Sequence, residues 1–145
     1  MKHSKLYTLL ALAGTVPFLA CALLPLLGIV EIPILGALDL LAGTYGLAII
    51  CFLAGAHWGT YLSGQSASSL NLFVISNAIF LAVWFAFIGA SLAWALAVQV
   101  IAFLLLLFID HRLKSSGVVT AHYFRIRSVA TAIAVVSLLA ILLFQ

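Results

Sequence analysis

Charge is what this chain has least of: six Lys or Arg and three Asp or Glu stand among 145 residues, while 67% are hydrophobic and mean hydropathy is +1.37. So few charges cannot coat a water-soluble domain of this size, and one core cannot hide so much apolar surface. The solvent for this chain is therefore a bilayer. Cysteine is nearly missing as well. Cys21 and Cys51 are single residues inside apolar runs, without CxxC spacing or a histidine cluster, which excludes a disulfide framework and leaves them as small packing residues.

Carboxylates are scarcer still. Glu31 and Asp39 have no histidine nearby to complete an acid–base pair, and Ser63, Ser66, Ser68 and Ser69 make a polar turn without a partner. No nucleophile, base and acid come together, so catalysis is not expected. Metal binding is equally poorly served. A site needs three or four ligands, yet only His57 lies inside an apolar run, with His3, His111 and His122 in the terminus or a loop. A bis-histidine haem lacks its second in-membrane histidine, so neither metal nor cofactor is expected.

What the chain does have is long apolar runs. A spanning helix needs about 20 residues, which leaves room for about five in a single integral membrane domain, residues 1–145. The run 6–30 follows Lys2 and Lys5 but, at about 25 residues, exceeds the roughly 7–15 of a signal-peptide core, so it reads as a retained span. The second covers 37–62, after an acidic turn at Glu31-Ile32-Pro33. The stretch 72–109 would be roughly 60 Å long as one helix, about twice the hydrocarbon thickness, so it must fold back. The weakest helical point, Gly89-Ala90-Ser91, divides it into 71–88 and 91–109. The last span, 127–144, follows a basic polar connection from Asp110 to Arg125. The expected fold is an all-α polytopic bundle of five transmembrane helices. An odd number of spans and the lack of a clear repeat weigh against an inverted duplication of the transporter kind.

With five spans, Lys2, Lys5, Arg112, Lys114, Arg125 and Arg127 all fall on one side, and the opposite turns hold no cation. The positive-inside rule then places the amino terminus in the cytoplasm and the carboxyl terminus outside, in a bacterial inner membrane. A basic rim facing lipid headgroups accounts for the net charge of +3, so no nucleic-acid partner is implied. Trp84 and Trp94 flank the outer hairpin, and Tyr61, Tyr123 and Phe124 sit at the inner boundary, as an aromatic belt requires.

Polar residues inside the spans carry the candidate site. In the second span Thr44, Ala48, Cys51, Gly55 and Gly59 recur at helical spacing, and the GxxxG pair Gly55 and Gly59 reads as a face for close helix packing or self-association. His57 lies about 200° from Gly55 and shares its face with Leu53 and Tyr61. An ionisable group at that depth faces protein or water, as a neutral imidazole bonded to a neighbouring helix or as a ligand or relay. Asn77 and Gln99, with Ser76, must point inward and bond across helices or line a pocket. At the inner boundary Asp110 faces Arg125 and Arg127 as a structural ion pair. The residues expected to meet a ligand are His57, Trp58, Tyr61, Asn77, Gln99, Tyr123 and Arg125.

Tyr45-Gly46, followed by Phe52-Leu53-Ala54-Gly55-Ala56-His57-Trp58-Gly59, resembles the signature of the domain of unknown function 3429 family, whose animal relatives are called transmembrane protein 69. Val16-Pro17-Phe18-Leu19 is similar to that family's early element, and Asp110 with Tyr123-Phe124-Arg125-Ile126-Arg127 to its closing one. The likeness runs along nearly the whole chain. Ala56 stands where a second glycine is usual, and Ile75-Ser76-Asn77 replaces a Pro-Ser-type element. The family has no settled activity, so the resemblance implies a class and no mechanism. The expected function is non-catalytic binding or assembly, serving a lipid, a quinone-like ligand or a membrane complex. An oligomeric transporter or channel for a small solute or ion is the alternative. Membrane lipid, a second copy or a complex subunit are the partners in view.

Overall fold

The computed structural model describes residues 2–63 and 71–144, with side chains from Lys5 onward. Lys2, His3, Ser66, Ser68 and Ser69, which entered the sequence reading, have no described side chains. The first apolar run is broken in two, α1 (Lys2–Ala13) and α2 (Val16–Leu23), with a 3₁₀ turn over Leu24–Leu27. Pro17 explains the break, because its ring removes an N–H and crowds the carbonyl four residues back. The polar groups of the bend are met locally and from afar: the Thr15 hydroxyl donates to the Leu12 carbonyl at 2.7 Å, and the Tyr45 hydroxyl to that of Gly14 at 2.9 Å. Gly28, at φ +79°, then ends the 3₁₀ turn in the left-handed conformation that suits a residue without Cβ.

The acidic turn is a small antiparallel hairpin, β1 (Glu31–Ile32) paired with β2 (Gly36–Ala37). It leads into α3 (Leu38–Leu62), where Asp39 sits in the first turn and favours the positive helix end. Next come α4 (Leu72–Gly89) and α5 (Leu92–Ser115), joined by the tight turn expected at Gly89 to Ser91. The Asn71 and Ser91 side chains cap their first turns. Helix α6 (Ala121–Phe144) follows a loop of residues 116–120. The expected polar connection from Asp110 to Arg125 is therefore mostly helix. Both helices continue past the apolar stretch because backbone hydrogen bonding does not stop where side chains turn polar, and Asp110 and Arg127 are inward-facing helical residues.

Five helical segments among the described residues are long and apolar enough to cross a membrane: Lys5–Leu27, Leu38–Leu62, Leu72–Gly89, Leu92–Ser115 and Ala121–Phe144. Helices α2, α3, α5 and α6 close a ring, with α4 laid against α3 and α5, and α1 held against α6. At the centre, α5 buries Leu96, Gln99, Phe103, Leu106, Asp110 and Leu113, a stripe with steps of three and four that keeps one side of the helix inward. The outer surface carries exposed Leu, Ile, Val and Phe, as hydrocarbon requires.

Candidate functional site

At one end of the ring three helices place ionisable groups together. Asp110 of α5 is 1% exposed and shares its two oxygens: Oδ1 lies 2.9 Å from His57 Nε2 of α3, and Oδ2 accepts from Arg127 Nε of α6 at 2.9 Å. Each oxygen thus has its own donor, and the guanidinium does not engage both. A carboxylate taken out of water this completely requires such compensation. Arg127 is the residue paired with it. Arg125, also expected in the ion pair and at the ligand, is exposed and makes no ion pair among the described residues. Two positions along a helix are about 200° apart, so only one of the two arginines can face α5.

Beside this cluster lies a cavity of about 410 Å³, enclosed on three sides by helical stripes. Helix α1 contributes Tyr7, Leu10 and Ala11, with Gly14 and Thr15 following in the bend; α3 contributes Ile49, Phe52, Leu53 and Ala56; α6 contributes Tyr123, Arg127, Ala130, Thr131 and Ala134. Each set follows the three-and-four spacing of one helix face. Phe18 and Phe103, packed edge to face, lie at its inner end. The bend at Gly14 creates the space: α1 stays with α6 while α3 does not pack closely against it. Leu10 and Phe52, 62% and 72% exposed, stand at the rim, so the cavity opens sideways on the apolar outer surface.

The polar side chains of this lining are Tyr7, Thr15, Tyr123, Arg127 and Thr131. Tyr7 and Tyr123 stack with ring centroids 5.3 Å apart, near Arg127. Arg127 and Thr131 are 7% and 2% exposed. The Tyr7 hydroxyl, Arg127 Nη2 and Thr131 Oγ1 are buried and have no hydrogen-bond partner among the described residues. Native interiors leave few such groups, so three around one cavity call for a physical account.

The other expected site residues lie elsewhere. His57 does face inward, on the opposite side of α3 from the exposed Gly55 and Gly59, but its Nε2 is taken by Asp110, its Nδ1 is buried without a partner among the described residues, and it does not line the cavity. Trp58 stacks on Phe73 of α4 at 4.0 Å, and Tyr61 meets the same ring edge-on at 5.1 Å. Gln99 does bond across helices, its amide donating to the Gly43 carbonyl at 2.8 Å. Asn77 instead donates to the Phe73 carbonyl of its own helix at 2.8 Å, and Ser76 likewise to that of Leu72 at 2.6 Å. The amide of Asn77 reaches the carbonyl one turn back more readily than a partner across the gap. Of the expected ligand residues, only Tyr123 lines the cavity.

Close helix approach within the bundle uses other glycines. A Cβ at Gly55 or Gly59 would meet nothing, whereas at Gly46 it would strike the Gln99 amide and at Gly43 it would touch Phe87 and Leu92. The GxxxG spacing was legible, but which glycines face a neighbour depends on where α5 lies. Tyr7, Thr131 and the cavity role of Arg127 were missed as well. Their signal was the spacing of Tyr123, Arg127 and Thr131 four residues apart.

Five apolar helices around a buried His–Asp–Arg cluster define a polytopic membrane-type helical bundle. The chain belongs to the family described as "Protein of unknown function (DUF3429)", whose model matches residues 3–143. No curated protein and no solved structure matches it.

Proposed function

We propose that this protein is a non-catalytic binding protein of the bacterial inner membrane that takes a small amphiphile from the lipid phase into the cavity between α1, α3 and α6. The reading rests on one observation. An apolar cavity of about 410 Å³, opening beside exposed Leu10 and Phe52, is lined by Tyr7, Arg127 and Thr131, each with a buried polar group that has no partner among the described residues. Its volume is in the range of ligand pockets, roughly 300–1,000 Å³, and apolar walls with a few convergent polar groups are their usual composition. The His57–Asp110–Arg127 cluster is the support that holds the guanidinium through Nε, while Nη2 has no partner among the described residues.

Lys5, Arg112, Lys114, Arg125 and Arg127 gather at the polar end of the bundle, whereas Glu31 and Asp39 belong to the opposite end. The positive-inside rule then puts the amino terminus and the polar end of the cavity in the cytoplasmic half of the bilayer. A transport route through His57, Asn77 and Gln99 has less support, because none of the three lines the cavity and each already has a hydrogen-bond partner.

The test is native mass spectrometry of the protein extracted with its surrounding lipid, comparing wild type with Ala56→Phe, which fills the cavity from its exposed rim. A discrete small molecule carried by wild type and lost in the variant is the expected result. Identical bare chains, or an identical adduct on both, would refute binding in this cavity.

A further inference from the structure

We infer that the ligand of this cavity is an uncharged amphiphile whose head presents carbonyl oxygen, as a prenylated quinone or a diacylglycerol does, with that oxygen received by Arg127, Thr131 and Tyr7. The inference rests on the cavity-binding reading and adds the chemistry of the head. Charge decides between a neutral and an anionic head. The Arg127 guanidinium lies against Asp110, itself 1% exposed, so its positive charge is already compensated within 2.9 Å. A phosphate in the cavity would bring negative charge into hydrocarbon, with that arginine balanced and no other cation among the described lining residues. A carbonyl carries no such cost and accepts hydrogen bonds only.

The donors match an acceptor of that kind. Arg127 Nη2 is a donor without a partner among the described residues, and the Thr131 and Tyr7 hydroxyls each donate through a proton that turns about a single bond. Thr131 sits one helical turn, about 6 Å, beyond Arg127 along α6, so the two reach successive positions of a ligand lying along the helix. Past Thr131 the lining is apolar. Ala134, Phe18 and Phe103 surround the inner end, which suits a chain or a ring edge. Exposed Leu10 and Phe52 mark where the remaining chain leaves for the bilayer.

The test uses purified full-length protein in phosphatidylcholine nanodiscs and native mass spectrometry at rising mole fraction of three probes: decyl-benzoquinone, 1,2-dioctanoylglycerol and dodecyl phosphate. Wild type is compared with Thr131→Val, Tyr7→Phe and Ala56→Phe, each checked for an unchanged thermal transition. The expected result is binding of at least one carbonyl probe at least about tenfold below dodecyl phosphate in half-saturating mole fraction. Thr131→Val and Tyr7→Phe should each raise that value about 2- to 10-fold, the loss of one hydrogen bond. Which carbonyl probe binds names the source. Tighter binding of dodecyl phosphate, abolished by Ala56→Phe, would overturn the neutral-head inference and keep the cavity. Carbonyl probes indifferent to both hydroxyl deletions would overturn the placement of the head. If no probe distinguishes wild type from Ala56→Phe, the cavity reading fails and this inference falls with it.

Discussion

His57 Nε2 lies 2.9 Å from Asp110 Oδ1, joining α3 to α5 across 53 positions of sequence at a depth where neither side chain reaches water. The other oxygen of the same carboxylate holds Arg127, so one buried anion ties three of the helices together. Removing it should be more harmful than removing His57. Asp110→Ala is expected to destabilise the bundle by about 3–5 kcal/mol, because it strands a buried guanidinium. The double variant Asp110→Leu, Arg127→Met should recover most of that loss. Unfolding in mixed detergent micelles checks both, and a double variant as unstable as the sum of its singles would show that the two residues act independently.

The histidine is expected to be replaceable by another donor. His57→Ala leaves Asp110 Oδ1 unpaired and should cost about 1–3 kcal/mol. His57→Gln, whose amide donates, should recover part of this. Leu53→Ala, one turn away on the same face, creates a packing defect and should cost about 2–5 kcal/mol. Equal losses for His57→Ala and His57→Gln in the same unfolding assay would reduce the residue to space-filling.

The glycines of α3 separate into two pairs. Gly46→Ala should destabilise by about 1–3 kcal/mol, since the new methyl meets a Gln99 amide already held by the Gly43 carbonyl. Gly55→Ala and Gly59→Ala meet nothing and should be neutral or slightly stabilising through helix propensity. Thermal melting and sizing of the purified variants tests the pair together. A loss of stability or of a dimer on Gly59→Ala would mean that a second copy covers that face.

Tyr45 anchors the bend that opens the cavity. Tyr45→Phe keeps the ring packed on Phe18 but removes the bond to the Gly14 carbonyl, a loss of about 0.5–1.5 kcal/mol. Amide exchange should rise locally around 10–16 while α5 stays protected. Unchanged exchange there would mean that Pro17 and the Thr15 hydroxyl hold the bend unaided.

Orientation is open to direct labelling. In a background with Cys21→Ala and Cys51→Ala, an impermeant maleimide should label Glu31→Cys in intact cells, and Lys5→Cys or Arg112→Cys only after permeabilisation. The reverse pattern would invert the proposed topology.

How much was legible depended on whether a property is local. Five apolar stretches, the turn at Gly89, the cationic rim and the inward face of His57 are all local: each needs only hydrophobicity, a backbone breaker or the helical repeat. By composition alone this chain had to place its surface in hydrocarbon, and by length alone it had to fold back repeatedly. Partnership is not local. That Arg127 and not Arg125 meets Asp110, that Gly43 and Gly46 and not Gly55 and Gly59 admit a neighbour, and that Asn77 bonds its own helix while Gln99 crosses to α3, were decided by the rotation and spacing of packed helices. The cavity belongs to the same order. The run 6–30 reads as one span, and only the structure showed it bent before Pro17, with the packing of α1 on α6 turning that bend into a space lined by Tyr7, Arg127 and Thr131, because a void is set by what surrounds it and not by any one segment.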